Sequence, residues 1–319
     1  MNCFTADNIF GESTKGMMII MEFINFTTIV KNEIEKRAGK NYHVRLKDVR
    51  KNNGIILSGL TVMQDDSNIS PTIYLNAYFE AYQSGQATLG MVIDDVMEVY
   101  ERNRVNRTVD VRQFLNFDMV KNRIVFKLIN TEKNQELLKD VPHIPFYDLS
   151  IVFQFLITEE NFGNATILIH NAHLQIWGIS VETLYQKAQQ NASVLNPYEI
   201  KNMQEVLCEY IPDKEEDIGQ AINNTVPVYV LSNKNRLFGA SCILYPELIQ
   251  DFAQAVGSDL YIIPSSVHEV LLLPTHGTEE SEDIKRMVQE VNDTQVETED
   301  VLSYSVYFFD KEKNSFAIL

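Results

Sequence analysis

The stretch Tyr42–Val62, YHVRLKDVRKNNGIILSGLTV, decides the fold class. Tyr42–Val49 and Ile55–Val62 are both β-like runs, and the link between them, Lys51-Asn52-Asn53-Gly54, ends in an Asn-Gly pair. Asn and Gly tolerate positive φ, so the spacing predicts a hairpin and an antiparallel pairing. Working outward, Phe23, Phe26, Val30 and Ile34 recur at three- and four-residue intervals and predict a helix over Glu22–Arg37, with Gly39 as its stop. After the hairpin, Ile69–Leu75 reads as a short strand whose Pro71 favours an edge. Asn76–Gln83 reads as an aromatic helix. Thr88–Arg104 reads as a longer one, with Leu89, Val92, Ile93, Val96 and Tyr100 on one face.

The rest of the chain continues in the same idiom. Arg123–Ile129, Leu149–Ile157, Ala165–Ile169, Pro227–Leu231, Gly239–Leu244, Asp259–Ile263, Val267–Leu273, Ser305–Phe309 and Ser315–Leu319 read as strands. Helices are expected over Ser180–Gln190, over Pro246–Val256 before Gly257, and over Ser281–Asn292. A further helix is expected to open at Asn196-Pro197-Tyr198-Glu199, an Asn cap followed by Pro and Glu. The last of these helices should bury Ile284, Met287, Val288 and Val291. Strands fall in adjacent runs without regular β-α-β alternation, so the expected class is α+β, with mixed or antiparallel sheets, packed helices and two associated lobes.

Pro142 and Pro145 make Val141–Pro145 the expected boundary, giving an N-terminal lobe over 21–141 and an acidic C-terminal lobe over 146–319. Residues 1–20 are expected to be a disordered leader or an over-extended start. Met17, Met18 and Met21 cluster just before the first helix, and translation beginning there would leave residues 1–16 upstream.

A length of 319 residues with 45% hydrophobic residues is ample for a buried core and excludes wholesale disorder. The net charge of -17 argues against a protein whose main work is gripping nucleic acid, because phosphates repel it. That charge is uneven: residues 1–150 hold 18 Lys+Arg against 19 Asp+Glu, and residues 151–319 hold 9 against 25. Three scattered cysteines, no apolar run of spanning length and no signal-peptide pattern lead to the expectation of a cytoplasmic chain without a membrane segment.

Two constellations could carry chemistry. His170 and His173 are spaced to share a helical face and are candidate metal ligands, with His143, His268 or Glu269 as a distant third. Ser265, Ser266, His268 and Glu269 supply the residue types of a hydrolase site, a hydroxyl nucleophile, an imidazole base and a carboxylate. Strand alternation would send His268 and Glu269 to opposite faces, and no Gly-x-Ser-x-Gly elbow is present. The competing readings are ordinary: one His caps the strand end while the other packs near Trp177, and the serines satisfy a turn. Acidic runs at Asp213–Asp217, Glu279–Asp283 and Glu297–Asp300 read as solvated surface, and Tyr74, Tyr78, Phe79 and Tyr82 as core. No phosphate-cradling glycine motif occurs, and no cofactor is expected.

Three segments carry a family likeness: ISPTIYLNAYFEAYQSG (Ile69–Gly85), TILIHNAHLQIWGIS (Thr166–Ser180) and GASCILYPELIQDFAQAVGSDLYIIPSSVHEVLLLP (Gly239–Pro274). With Met287–Asn292 and Tyr307, they resemble the bacterial domain-of-unknown-function family 5688 from about Met21 onward. The resemblance implies soluble proteins of anaerobic bacteria with no assigned activity, and it assigns no catalytic residue. With strong charge segregation and no assembled reactive group, the expected function is a non-catalytic accessory or regulatory protein that binds another macromolecule, with a protein as the expected partner. The rival is a hydrolase or metal-dependent enzyme using His170 and His173, or Ser265, Ser266 and His268. A third reading is an acidic mimic of nucleic acid.

Overall fold

Asn53 and Gly54 adopt φ of 58° and 73°, the left-handed conformation that turns the chain between the first two strands. The computed structural model of the protein describes residues 7–65, 67–68, 70–104, 114–159, 163–210, 227–275 and 281–319. It divides into two units, Met1–Lys51 with Ile55–Asp110, and Asn52–Gly54 with Val111–Leu319.

In the first unit, β1 (Tyr42–Arg50) and β2 (Ile56–Gln64) pair antiparallel from Tyr42↔Gln64 to Arg50↔Ile56. The edge strand β3 (Thr72–Tyr74) adds to β2, completing a three-stranded sheet. Register places Val44 opposite Val62 and Leu60 opposite Ile73, and all four are buried. Phe26, Val30 and Ile34 of helix Asp7–Ala38 join this core, with Phe79 of helix Asn76–Gln83 and Val92, Ile93, Val96 and Tyr100 of helix Leu89–Asn103. Thr88 caps the last of these, its Oγ1 accepting from Met91 N at 3.3 Å. Gly59 is required by packing, since a Cβ there would lie 2.6 Å from Thr72 Cγ2.

The second unit holds two sheets. In one, β6 (Leu149–Glu159) pairs along one side with β4 (Ile124–Asn130). Its other side is shared by β5 (His143–Phe146), against Leu149–Val152, and β7 (Gly163–Leu168), against Gln154–Glu159. The other sheet has six strands in the order β13-β12-β10-β11-β9-β8. These are β8 (Tyr198–Asn202), β9 (Tyr229–Asn233), β10 (Leu260–Ile263), β11 (Val270–Pro274), β12 (Tyr307–Asp310) and β13 (Ser315–Ile318). Every pairing is antiparallel. Phe126, Ile151 and Phe153 from the first sheet, Leu260, Ile262 and Leu272 from the second, and Leu184 and Ile249 from helices Val181–Leu195 and Leu248–Val256 form one buried cluster. Ile284 and Val288 of helix Ser281–Thr294 cluster separately with Ile263 and Leu273. The fold is α+β.

Several expectations change. The division falls at Asp110/Val111 and not at Val141–Pro145, because β4 lies before the prolines and pairs with β6 after them. Pro145 sits in β5, which pairs only with β6, so its missing N–H interrupts no second ladder. The first helix runs from Asp7, through the methionine cluster that was expected to follow a leader. Tyr198–Asn202 is a strand: the caps come later, with Asn202 Oδ1 accepting from Gln204 N (2.9 Å) and Glu205 Oε2 from Asn202 N (3.1 Å), and helix Met203–Tyr210 follows. Gly239–Leu244 is a 3-10 helix whose Gly239–Ile243 are buried, a continuous apolar run without period. Met287 is exposed.

Candidate functional site

β11 begins at Val270, so His268 and Glu269 lie in the connection before it and not in the expected strand, beside Ser265 and Ser266, which were expected in that connection. Ser266 forms an isolated bridge with Val301, and its Oγ accepts from His268 N at 3.0 Å. The Ser265 carbonyl accepts from Leu302 N at 2.9 Å, and both serines are buried. His268 Nδ1 accepts the Phe238 N–H at 3.3 Å, its Nε2 lies 3.3 Å from Asp300 Oδ1, and its ring stacks on Phe238. A hydrolytic triad needs the accepting imidazole nitrogen free for a hydroxyl proton. Here that nitrogen is taken by a backbone N–H, and neither Ser265 nor Ser266 is hydrogen-bonded to the ring among the described residues. Cys242 offers no substitute nucleophile, since burial pushes its thiol up to about 12.

His170 and His173 are brought together, though as a reciprocal helix cap. The His170 N–H donates to His173 Nδ1 at 2.9 Å at the start of helix Asn171–Trp177, and the His173 N–H donates to the His170 carbonyl at 2.9 Å. His170 Nδ1 lies 2.8 Å from Asp140 Oδ2. The His173 ring stacks on Trp177 and meets Phe114 edge-on, with centroids 4.8 Å apart. Burial, reinforced by the charge on His170, lowers the pKa of His173 and keeps it neutral. His143, the nearest third candidate in the chain, stands on edge strand β5 with its Nδ1 3.1 Å from the Val141 carbonyl. Among the described residues no three His, Cys, Asp or Glu side chains are grouped to hold a metal ion.

Glu269 turns into a different setting. It lines a cleft of about 630 Å³ of empty space, with Met203, Val206, Val230 and Leu271 as apolar walls. Lys201 Nζ bridges Glu199 (3.1 Å) and Glu209 (2.5 Å), and Glu209 also pairs with Arg236. Glu269 has no ion pair or hydrogen bond through its carboxyl among the described residues. Burial raises its pKa, opposed by the charges of His268 and Arg236 and supported by Asp300. Two cations thus stand among three carboxylates, and Glu269 is the one left over. Lys201, Glu209 and Arg236 come from β8, the following helix and the loop after β9, and no local spacing in the sequence announces them.

The remaining motifs are structural or unseen. Asp213–Asp217 lies outside the described residues. Glu282 and Asp283 pair with Lys285 and Arg286 on their own helix. Phe79 is core, and Tyr78 bonds Asp95. No helix among the described residues is long and apolar enough to cross a membrane.

The family comparison now has a structure to attach to. The profile of a family of unknown function, DUF5688, matches residues 23–311, from the first helix past the end of β12. The chain belongs to the DUF5688 family. Membership of DUF5688 covers both units and the cleft, and its description assigns neither reaction nor ligand. No curated protein and no solved structure matches the chain.

Proposed function

We propose that this DUF5688 protein is a cytoplasmic, non-catalytic accessory or regulatory protein that binds a basic protein partner through its second unit. The observation that carries the reading is the engagement of the nominated histidines and serines by their own neighbours. His170, His173 and His268 are engaged by neighbours, and Ser265 and Ser266 are buried in a turn. Electrostatics supports the choice of partner. The first unit holds twelve Lys/Arg against fourteen Asp/Glu, whereas the second holds fifteen against thirty. A field of that sign speeds encounter with cationic surfaces and is weakened by salt. Glu269, whose carboxyl makes no direct ion pair or hydrogen bond among the described residues, is the contact point of this reading.

The test is affinity purification of the intact chain from its native cell at low and high salt, with metal analysis of the same sample. A stoichiometric basic protein, retained at low salt and lost in a Glu269→Lys variant, is the expected result. Stoichiometric zinc or iron, or hydrolysis of an ester or peptide probe that disappears in His268→Ala, would reverse the proposal in favour of an enzyme.

A further inference from the structure

Strand β6 is apolar from Ile151 to Ile157 except at Gln154. Gln154 is 4% exposed, in a central position between Val125 of β4 and Leu168 of β7. Its carboxamide makes no hydrogen bond among the described residues, and its polar atoms are not sealed off but meet the open space of the pocket they line. The side chain lines a pocket open to solvent, about 520 Å³ of empty space counted out into the solvent, together with Thr166, Asn196, Asn235, Leu237 and Phe238. Asn235 Nδ2 reaches Asn196 Oδ1 only at 3.5 Å, the outer limit of a hydrogen bond, so both amides retain bonding capacity. The Phe238 ring is held in place: His268 stacks on it at 15°, and Lys127 Nζ lies 4.4 Å from its centroid. Phe238 itself adopts φ 55°, an unusual conformation for a bulky residue and one that the surrounding packing must hold.

The lining contains no charged side chain, in a unit with twice as many acids as bases. A charged ligand would therefore be desolvated without compensation. Three carboxamides offer paired donors and acceptors, and the aromatic and aliphatic walls suit a flat apolar face. We propose that this cavity binds an uncharged planar heterocycle carrying a donor and an acceptor side by side on one edge, as a nucleobase does, with Gln154 pairing to that edge. This site is separate from the Glu269 cleft and does not depend on the protein-binding reading.

The experiment is calorimetric and ligand-observed NMR titration of the full chain with uracil and with adenine, repeated with uridine and adenosine 5′-monophosphates. One base should bind saturably at one site per chain, with its nucleotide at least about tenfold weaker for want of a cation at the phosphate. Gln154→Leu should weaken the base at least about tenfold without lowering the melting temperature, because the amide makes no hydrogen bond to the fold. Asn235→Ala, at the exposed rim, should weaken binding without loss of fold. Failure of both bases to bind overturns the proposal. So does binding unchanged in both variants, nucleotide binding as tight as that of the base, or a lowered melting temperature in Gln154→Leu, which would mean that the amide serves the fold.

Discussion

Glu269 shows how much one side chain's surroundings decide. Its carboxyl is held above the ordinary value of 4.5 by burial, so the folded state keeps a proton that the unfolded chain releases. The associated stability is present below the unfolded pKa and is lost as pH rises through the folded one. Glu269→Gln should therefore stabilise the protein at neutral pH, by about 1 kcal/mol or less given partial solvent screening, and flatten the dependence of stability on pH above 4.5. Urea denaturation across that range reads the effect; a variant less stable than the parent at neutral pH would contradict it. Asp148 has the partners that Glu269 lacks: it accepts from Ser303 Oγ (2.5 Å), Ser305 Oγ (3.1 Å) and the Tyr307 hydroxyl. Burial and then the bond to Asp148 push the Tyr307 phenol above its ordinary range. Tyr307→Phe should cost about 1–2 kcal/mol in the same denaturation assay, since it leaves a partly buried acceptor short of a donor. Sequence reading found Glu269 and His268 because their residue types are suggestive. Gln154 stands as a lone polar residue inside Ile151–Ile157, and nothing local in that run marks which strands flank it or that it lines a pocket.

At the scale of elements, local chemistry was legible wherever the signal and the burial agreed. The Asn53-Gly54 turn, the helix opening at Ser180 and the stop at Gly257 all stand where the sequence pattern placed them. Gly54→Ala should cost about 1 kcal/mol through its positive φ, measurable as a lowered urea midpoint. Reading failed where two signals competed. Asn196-Pro197-Tyr198-Glu199 has the composition of a helix start, yet Tyr198–Asn202 gains a full ladder against β9, and tertiary pairing outweighs a cap worth about 1 kcal/mol. The real cap sits at Asn202, so Asn202→Ala should lower the melting temperature while Asn196→Ala leaves helix Met203–Tyr210 intact, as circular dichroism can report. Gly239–Leu244 was illegible for another reason: a segment buried on every side carries no period. Its glycine is fixed by contact, a Cβ at Gly239 lying 2.2 Å from Ser232 Oγ.

For the molecule as a whole, the order of strands and helices foretold the α+β class, whereas the division between units was hidden in long-range pairing. Two prolines looked like a hinge because they remove donors, but β4 reaches across them to β6. The HxxH pair teaches the same lesson in another form, since His170 and His173 did converge but spent their nitrogens on a cap and on Asp140. Chelator treatment should accordingly leave the melting temperature unchanged, and a drop of several degrees would point to a resident metal. The division of labour along one side of β6 has its own outcome. Its N-terminal half is zipped to β5 and its C-terminal half to β7, while β4 spans the opposite side as far as Phe155. Fraying of either partial neighbour leaves the other flank sealed, so backbone amides over Leu149–Phe155 should be the last to acquire deuterium, marking the slow kernel from which the second unit opens.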